Sequence, residues 1–135
     1  MSKVRFIAIV TVLVIIMATV PVFTGCGKVA EFSDPIAENI LVSMNNGDYA
    51  GFSRDFDDVM KRELSEAAFP EFLSAINGSV GNYVEGSMNL TGVKVENNLT
   101  TASYTVDFEG MEGVTMDVVF QKIDDKMKVV GLWFQ

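Results

Sequence analysis

The hydrophobic period of this 135-residue chain changes once, near Tyr83, and that change constrains the fold more than any other feature. Before it, apolar residues recur at spacings of three and four, the signature of a helix with one buried face. Asp34-Pro35 predicts a helix start, with a capping carboxylate followed by proline. Ile36, Ile40, Leu41 and Met44 form the buried stripe, and Asn45-Asn46-Gly47 predicts its end. Asp48 is placed to cap a second helix whose inner face carries Tyr49, Phe52, Phe56 and Met60. A third, from about Ser65 to Ile76, turns Phe69, Phe72, Leu73 and Ile76 inward and stops at Asn77-Gly78.

From Tyr83 onward the period is two. Val84, Met88 and Leu90 alternate with polar residues, and Val93-Lys94-Val95 reaches Asn97-Asn98, a pair suited to a tight hairpin that needs positive φ. Ala102, Tyr104, Val106 and Phe108 alternate with Ser103, Thr105 and Asp107. A Gly110–Gly113 loop leads to Val114, Met116, Val118 and Phe120, and Asp124-Asp125 turns into the last strand. There Val130, Leu132 and Phe134 are expected toward the helices, with Val129, Gly131 and Trp133 on the other face. Helices first and a strand meander after predict an α+β fold, with N-terminal helices covering one face of a curved antiparallel sheet.

The N-terminus predicts location. Lys3 and Arg5 precede an uncharged run from Phe6 to Phe23, and Thr24-Gly25 lead into Cys26, the one cysteine in the chain. A basic segment, an apolar segment and small residues before a cut define a secretory signal. With cysteine directly after the cut, the pattern resembles a prokaryotic lipoprotein signal, although Phe23 stands where leucine is usual. The expected division is a signal peptide over 1–25, a lipid-anchored tether over 26–33 and one domain over 34–135. Lipid on Cys26 would hold the domain at the cell membrane, facing outside the cytoplasm. The alternative is an uncleaved membrane helix, since Phe6–Phe23 supplies 18 residues, near the lower limit for a span. Both alternatives keep the positive N-terminus inside. An extended tether over 27–33 reaches only about 25 Å, so the domain stays close to the surface.

Charge and composition exclude several functions. Without Lys3 and Arg5 the chain keeps 8 basic against 18 acidic residues, a net charge of −10. In sum such a surface repels nucleic acid and anionic headgroups, so neither is expected as a partner. There is no histidine, which removes His-based acid–base catalysis, Ser-His and Cys-His nucleophiles and the commonest zinc ligand. Asp55, Asp57, Asp58 and Glu66 suggest a calcium loop, but Val59 occupies a ligand position and Met60 replaces the turn glycine. A solvated acidic face is expected there instead, with no metal and no cofactor. Three glycosylation sequons, at Asn77, Asn89 and Asn98, matter only in a host that glycosylates asparagine.

The element order resembles the nuclear transport factor 2-like (cystatin-like) fold. The local match is sharper: an apolar helix, Asn46-Gly47-Asp48-Tyr49, a Phe-rich helix, and Gly81-Asn82-Tyr83 entering the sheet. These steps resemble an uncharacterised family of small domains found in secreted and lipoprotein chains. The resemblance implies a cone whose pocket lies between sheet and helices. That pocket would be lined by Tyr49, Phe52, Phe56, Phe72, Tyr104, Val106, Phe108, Met116, Val118, Phe120 and Leu132. Enzymes of this fold need an inward acid or base, and the helix-facing set has none, so no catalytic residue is assigned. On the other sheet face, Val119, Val129 and Trp133 interrupt a polar surface and mark an expected contact patch. Cone-fold proteins often pair there, so the resemblance implies a homodimer. The expected function is a non-enzymatic accessory module for a protein partner or a small apolar ligand. The alternative is an isomerase- or dehydratase-type enzyme on a hydrophobic substrate, with Tyr104 and Tyr49 as hydrogen-bond donors.

Overall fold

A computed structural model describes residues 27–135; residues 1–26, with the expected signal peptide and Cys26, lie outside the described residues. Helices precede four strands, as the change of period predicts, but there are four helices among the described residues where three were expected. Helix α1 covers 27–46, α2 Tyr49–Phe52, α3 Asp58–Glu63 and α4 Phe69–Val80. Strands β1 (Asn89–Glu96), β2 (Leu99–Phe108), β3 (Met111–Ile123) and β4 (Lys126–Phe134) pair antiparallel in the order β1-β2-β3-β4. The result is an α+β fold compatible with a nuclear transport factor 2-like cone. Among the described residues, no helix is long and apolar enough to cross a membrane.

Helix α1 begins earlier than Asp34-Pro35 predicts, so residues 27–33 are helix and not an extended tether. Proline inside a helix removes one backbone hydrogen bond and typically costs about 3 kcal/mol. Packing offsets that cost: Val29 and Ser33 are buried, and the Phe32 ring meets Phe120 edge-on at 5.1 Å. Beyond Pro35 the expected stripe holds, with Ile36, Ile40, Leu41 and Met44 all buried. The helix ends as Asn46-Gly47 predicts. Gly47 takes φ +63°, its N–H donates to Met44, and the Asp48 N–H reaches back to the Ser43 carbonyl at 2.9 Å.

The expected second helix is two short ones. Asp48 caps α2 by accepting from the Gly51 N–H, and Asp57 caps α3 by accepting from the Met60 N–H. The break lets the chain run beside the otherwise open edge of β4. Asp57 N–H donates to the Val129 carbonyl at 3.0 Å, and Val129 N–H donates to the Asp55 carbonyl at 2.7 Å. These bonds satisfy an edge that would otherwise present unpaired groups. Helix α4 passes through Gly78 and stops one turn later than expected, at Gly81 with φ +79°.

In the sheet, two of the three hairpin turns are left-handed, the first as expected and the second where only a turn was expected. Asn97 and Asn98 take φ of 52° and 64°, and Asp124 and Asp125 take the same values. The expected 110–113 loop is instead a two-residue turn at Glu109-Gly110, followed by a bulge in which Gly113 has φ +69°. Three irregularities, at Leu90/Gly92, Val106/Phe108 and Val119/Phe120, interrupt the ladders. Bulges of this kind bend strands and increase twist, which curves the sheet around the helices.

The third irregularity changes the phasing of β4. Phe120 pairs with Val129, but Val119 pairs with Gly131, so Val130 is an extra residue. Val129 therefore faces the helices and is fully buried, whereas Val130 is only half-buried. This corrects both expected positions. Leu132 and Phe134 recover the inward phase, paired with Val118 and Met116.

Candidate functional site

The chemically distinctive feature of the interior is a pair of tyrosine–carboxylate contacts along α1. Asp34 and Glu38 are four residues apart, so both lie on one side of the helix, above the sheet. The Tyr104 hydroxyl donates to Asp34 Oδ1 at 2.6 Å and lies 2.6 Å from Ser33 Oγ. The Tyr83 hydroxyl donates to Glu38 Oε2 at 2.7 Å. Asn45 pins the same tyrosine's backbone from below, donating to its carbonyl and accepting from its N–H, each at 2.9 Å.

Burial first, then the neighbouring carboxylate, pushes both tyrosine pKa values up. Tyr83 rises to about 12 through desolvation, then its hydrogen bond to Glu38 and the charge of Glu38. Tyr104 rises through desolvation and its bond to Asp34, with Ser33 acting in the opposite direction. Neither hydroxyl is a base near neutral pH, and each already donates to an internal carboxylate. Tyr49, the other donor considered, gives its hydroxyl to the Leu64 carbonyl at 2.7 Å.

The residues expected to line a pocket do converge, but they fill the space between sheet and helices. Phe52, Phe56, Tyr104, Val106, Met116, Val118 and Phe120 are each at most 1% exposed. Phe108 is buried beside Tyr83 and Phe134. Phe72 and Leu132 pack at the margin, Phe72 between Phe52 and Phe134. Sequence reasoning missed Val29, Phe32 and Ser33, which close the near end of this core. Their spacing was a usable signal: Val29, Phe32, Ser33 and Ile36 continue the stripe of α1 at intervals of three and four.

On the outer sheet face, Val119 and Trp133 stand where the phasing placed them, and Val129 does not. Trp133 is 54% exposed, and its ring lies so close over Gly131 that an added Cβ there would sit 2.3 Å from ring carbons. The glycine is what allows the indole to lie flat on the strand. Around it the face is polar: Ser103 donates to Asp117 at 2.6 Å, and Gln135 reaches the other oxygen of Asp117. Asp107 is also on this side, accepting from the Gly113 N–H, as the phasing predicts.

Two clefts open at opposite ends. A polar one of about 400 Å³ lies between α3 and the Asp124-Asp125 turn, lined by Phe56, Asp57, Asp58, Lys61, Ile123, Asp124, Lys126 and Lys128. An apolar one of about 190 Å³ lies where α4 meets the other end of the sheet, against Ile76, Val80, Phe108, Met111, Val114 and Phe134. Among the described residues, no group of three Cys, Asp or Glu is placed to hold a metal ion. The acidic run disperses: Asp57 is a helix cap, and Asp55 pairs with Arg54 at 2.8 Å.

No curated protein matches the chain. A family model does match, over residues 37–132, from the second half of α1 into β4. The chain belongs to the family described as protein of unknown function (DUF3887).

Proposed function

We propose that this chain is a lipid-anchored extracytoplasmic module of the nuclear transport factor 2-like kind, which binds a protein partner and carries out no chemistry of its own. The observation that carries this reading is the filled interior. In the cone fold a substrate enters between sheet and helices, and here that space holds the fully buried Phe52, Tyr104, Met116 and Phe120, with Tyr104 and Phe120 against Ser33, Asp34 and Phe32 of α1. The hydroxyls that an isomerase-type enzyme would turn on its substrate donate instead to Asp34, Glu38 and Leu64. Asp34 is the inward carboxylate on which an enzyme would have to be built, and it is bonded to a tyrosine whose ring is enclosed.

A small apolar ligand is the weaker of the binding readings. The apolar cleft of about 190 Å³ is below the roughly 300–1,000 Å³ of ordinary ligand sites. The outer sheet face offers a Trp133 and Val119 ledge within a polar rim, the composition of a protein contact surface. The same face would serve a homodimer.

The experiment is native mass spectrometry of the chain released gently from membranes, beside Trp133→Ala. A stoichiometric protein companion, or a second copy of the chain, should be retained and then weakened at least tenfold by the substitution. The variant's melting transition should stay close to that of the wild type. A chain that travels alone, or a companion indifferent to Trp133→Ala, would overturn the sheet-face reading. Turnover of any hydrophobic substrate that Tyr104→Phe abolishes would establish the enzyme instead.

A further inference from the structure

The charges of this acidic chain are segregated along the strands. Residues 63–93 and 95–121 contain no lysine or arginine at all. The topology gathers the basic residues at one end: Lys94 and Lys122 flank the two hairpin turns, Lys126 and Lys128 follow the second turn, and Lys61 faces them across the polar cleft. Lys28, near the N-terminal limit of the described part of α1, belongs to the same end, because Phe32 of that helix packs on Phe120. Carboxylates are present there too and nearly match the lysines: Asp57, Asp58 and Asp124 line the same cleft as Lys61, Lys126 and Lys128, Glu96 pairs with Lys94 at 3.1 Å, and Asp125 completes the second turn. The opposite end has carboxylates alone, with Glu85, Glu109 and Glu112 exposed.

Strand β3 joins the two ends. From Glu112 to Ile123 it spans about 36 Å at roughly 3.3 Å per residue. That is several times the Debye length of about 8–10 Å at ordinary salt, so a charged surface touching one end does not sense the other. The net charge of the whole chain is then the wrong quantity for judging its approach to a membrane. The lysine-bearing end also presents apolar side chains, with Val95 67% exposed and Leu99 37% exposed on either side of the Asn97-Asn98 turn.

We propose that this end is a membrane-docking surface: the tips of the two hairpins lie against anionic phospholipid headgroups, with the acidic end directed outward. The occupant follows from the chain's path and from the contrast between the ends: this one is nearly balanced and carries the lysines, whereas the other carries carboxylates alone and is repelled by an anionic surface. Residues 1–26 join the domain at Gly27, on the lysine-bearing end, so an anchor there delivers this end to the bilayer first. The proposal rests on the anchored reading above for that proximity. Lysine stems lie along the surface while their ammonium groups reach the phosphates. Each lysine near an anionic surface strengthens association by about fivefold.

The test is hydrogen exchange on the full chain, purified from membranes and reconstituted into two kinds of vesicle. One is phosphatidylcholine alone; the other is phosphatidylcholine and phosphatidylglycerol in equal parts. On the anionic vesicles, amides of the 97–98 and 124–125 turns should be slowed relative to detergent, and those of 109–113 should not. The pair Lys122→Glu and Lys126→Glu should abolish the slowing. A chain that floats with vesicles but shows no slowing at the turns, or slowing at 109–113 instead, overturns the docking surface and leaves the anchor standing. A Cys26→Ser chain that floats and is slowed in the same way removes the lipid anchor and leaves the docking surface standing. A chain that floats with neither vesicle removes both.

Discussion

At the scale of single residues, polar groups inside the core do as much to define this molecule as its phenylalanines. Tyr83 illustrates this, with its hydroxyl on Glu38 and its backbone held by Asn45. Its pKa in the folded state, about 12, lies above the ordinary value of 10. A group whose folded pKa is raised contributes stability that is fully present below the unfolded pKa and is lost as pH rises through the folded one. Stability should therefore fall between about pH 10 and pH 12, partly through Tyr83. Lysine deprotonation overlaps this range, so the comparison is with Tyr83→Phe, which cannot ionise. Denaturant unfolding across that window should show a steeper loss for the wild type than for the variant. Equal slopes would show that Tyr83 is not held in this environment.

At the scale of elements, the places where sequence and structure part are informative. The stripe of α1, the cap at Asp48 and the left-handed turn at Asn97-Asn98 were legible because each rests on local chemistry: periodicity, a short acceptor side chain, or positive φ. The part of α1 before Asp34 was not, because Asp34-Pro35 is a strong local start signal that tertiary packing of Val29 and Phe32 overrides. Val129 was misplaced because a bulge at Val130 shifts the phase of β4, and period-two reasoning cannot see one extra residue. Phe56 was read as helical, although the β4 edge draws its backbone into a bridge with Val129. Of the candidate site, the convergence of the aromatic set was legible, but its closure by α1 depended on residues assigned to a tether. Helix α4 retains one local defect, Gly78 in its interior, where an added Cβ meets nothing within 4 Å. Gly78→Ala should stabilise the domain by about 0.5–1 kcal/mol, read as a higher denaturant midpoint with unchanged slope. A lower midpoint would mean that α4 does not run through that position.

At the scale of the whole molecule, the domain is a curved sheet with helices packed on one face, where α1 closes the core, and with the other face uncovered among the described residues. The closure gives the first turns of α1 a structural role that reaches the centre of the sheet. It also leaves the outside of the molecule, the Trp133 ledge and the lysine-bearing end, as the surfaces on which the proposed contacts are built. The claim on which this depends is that Tyr104 bonds to α1 and does not face an open cavity. A double-mutant cycle on Tyr104→Phe and Asp34→Ala, read by denaturant unfolding, tests it directly. The two side chains meet at 2.6 Å, so a coupling of about 1–2 kcal/mol is expected, with the double variant little worse than either single one. Strictly additive losses would contradict the closure and leave the Tyr104 hydroxyl free in an open cone.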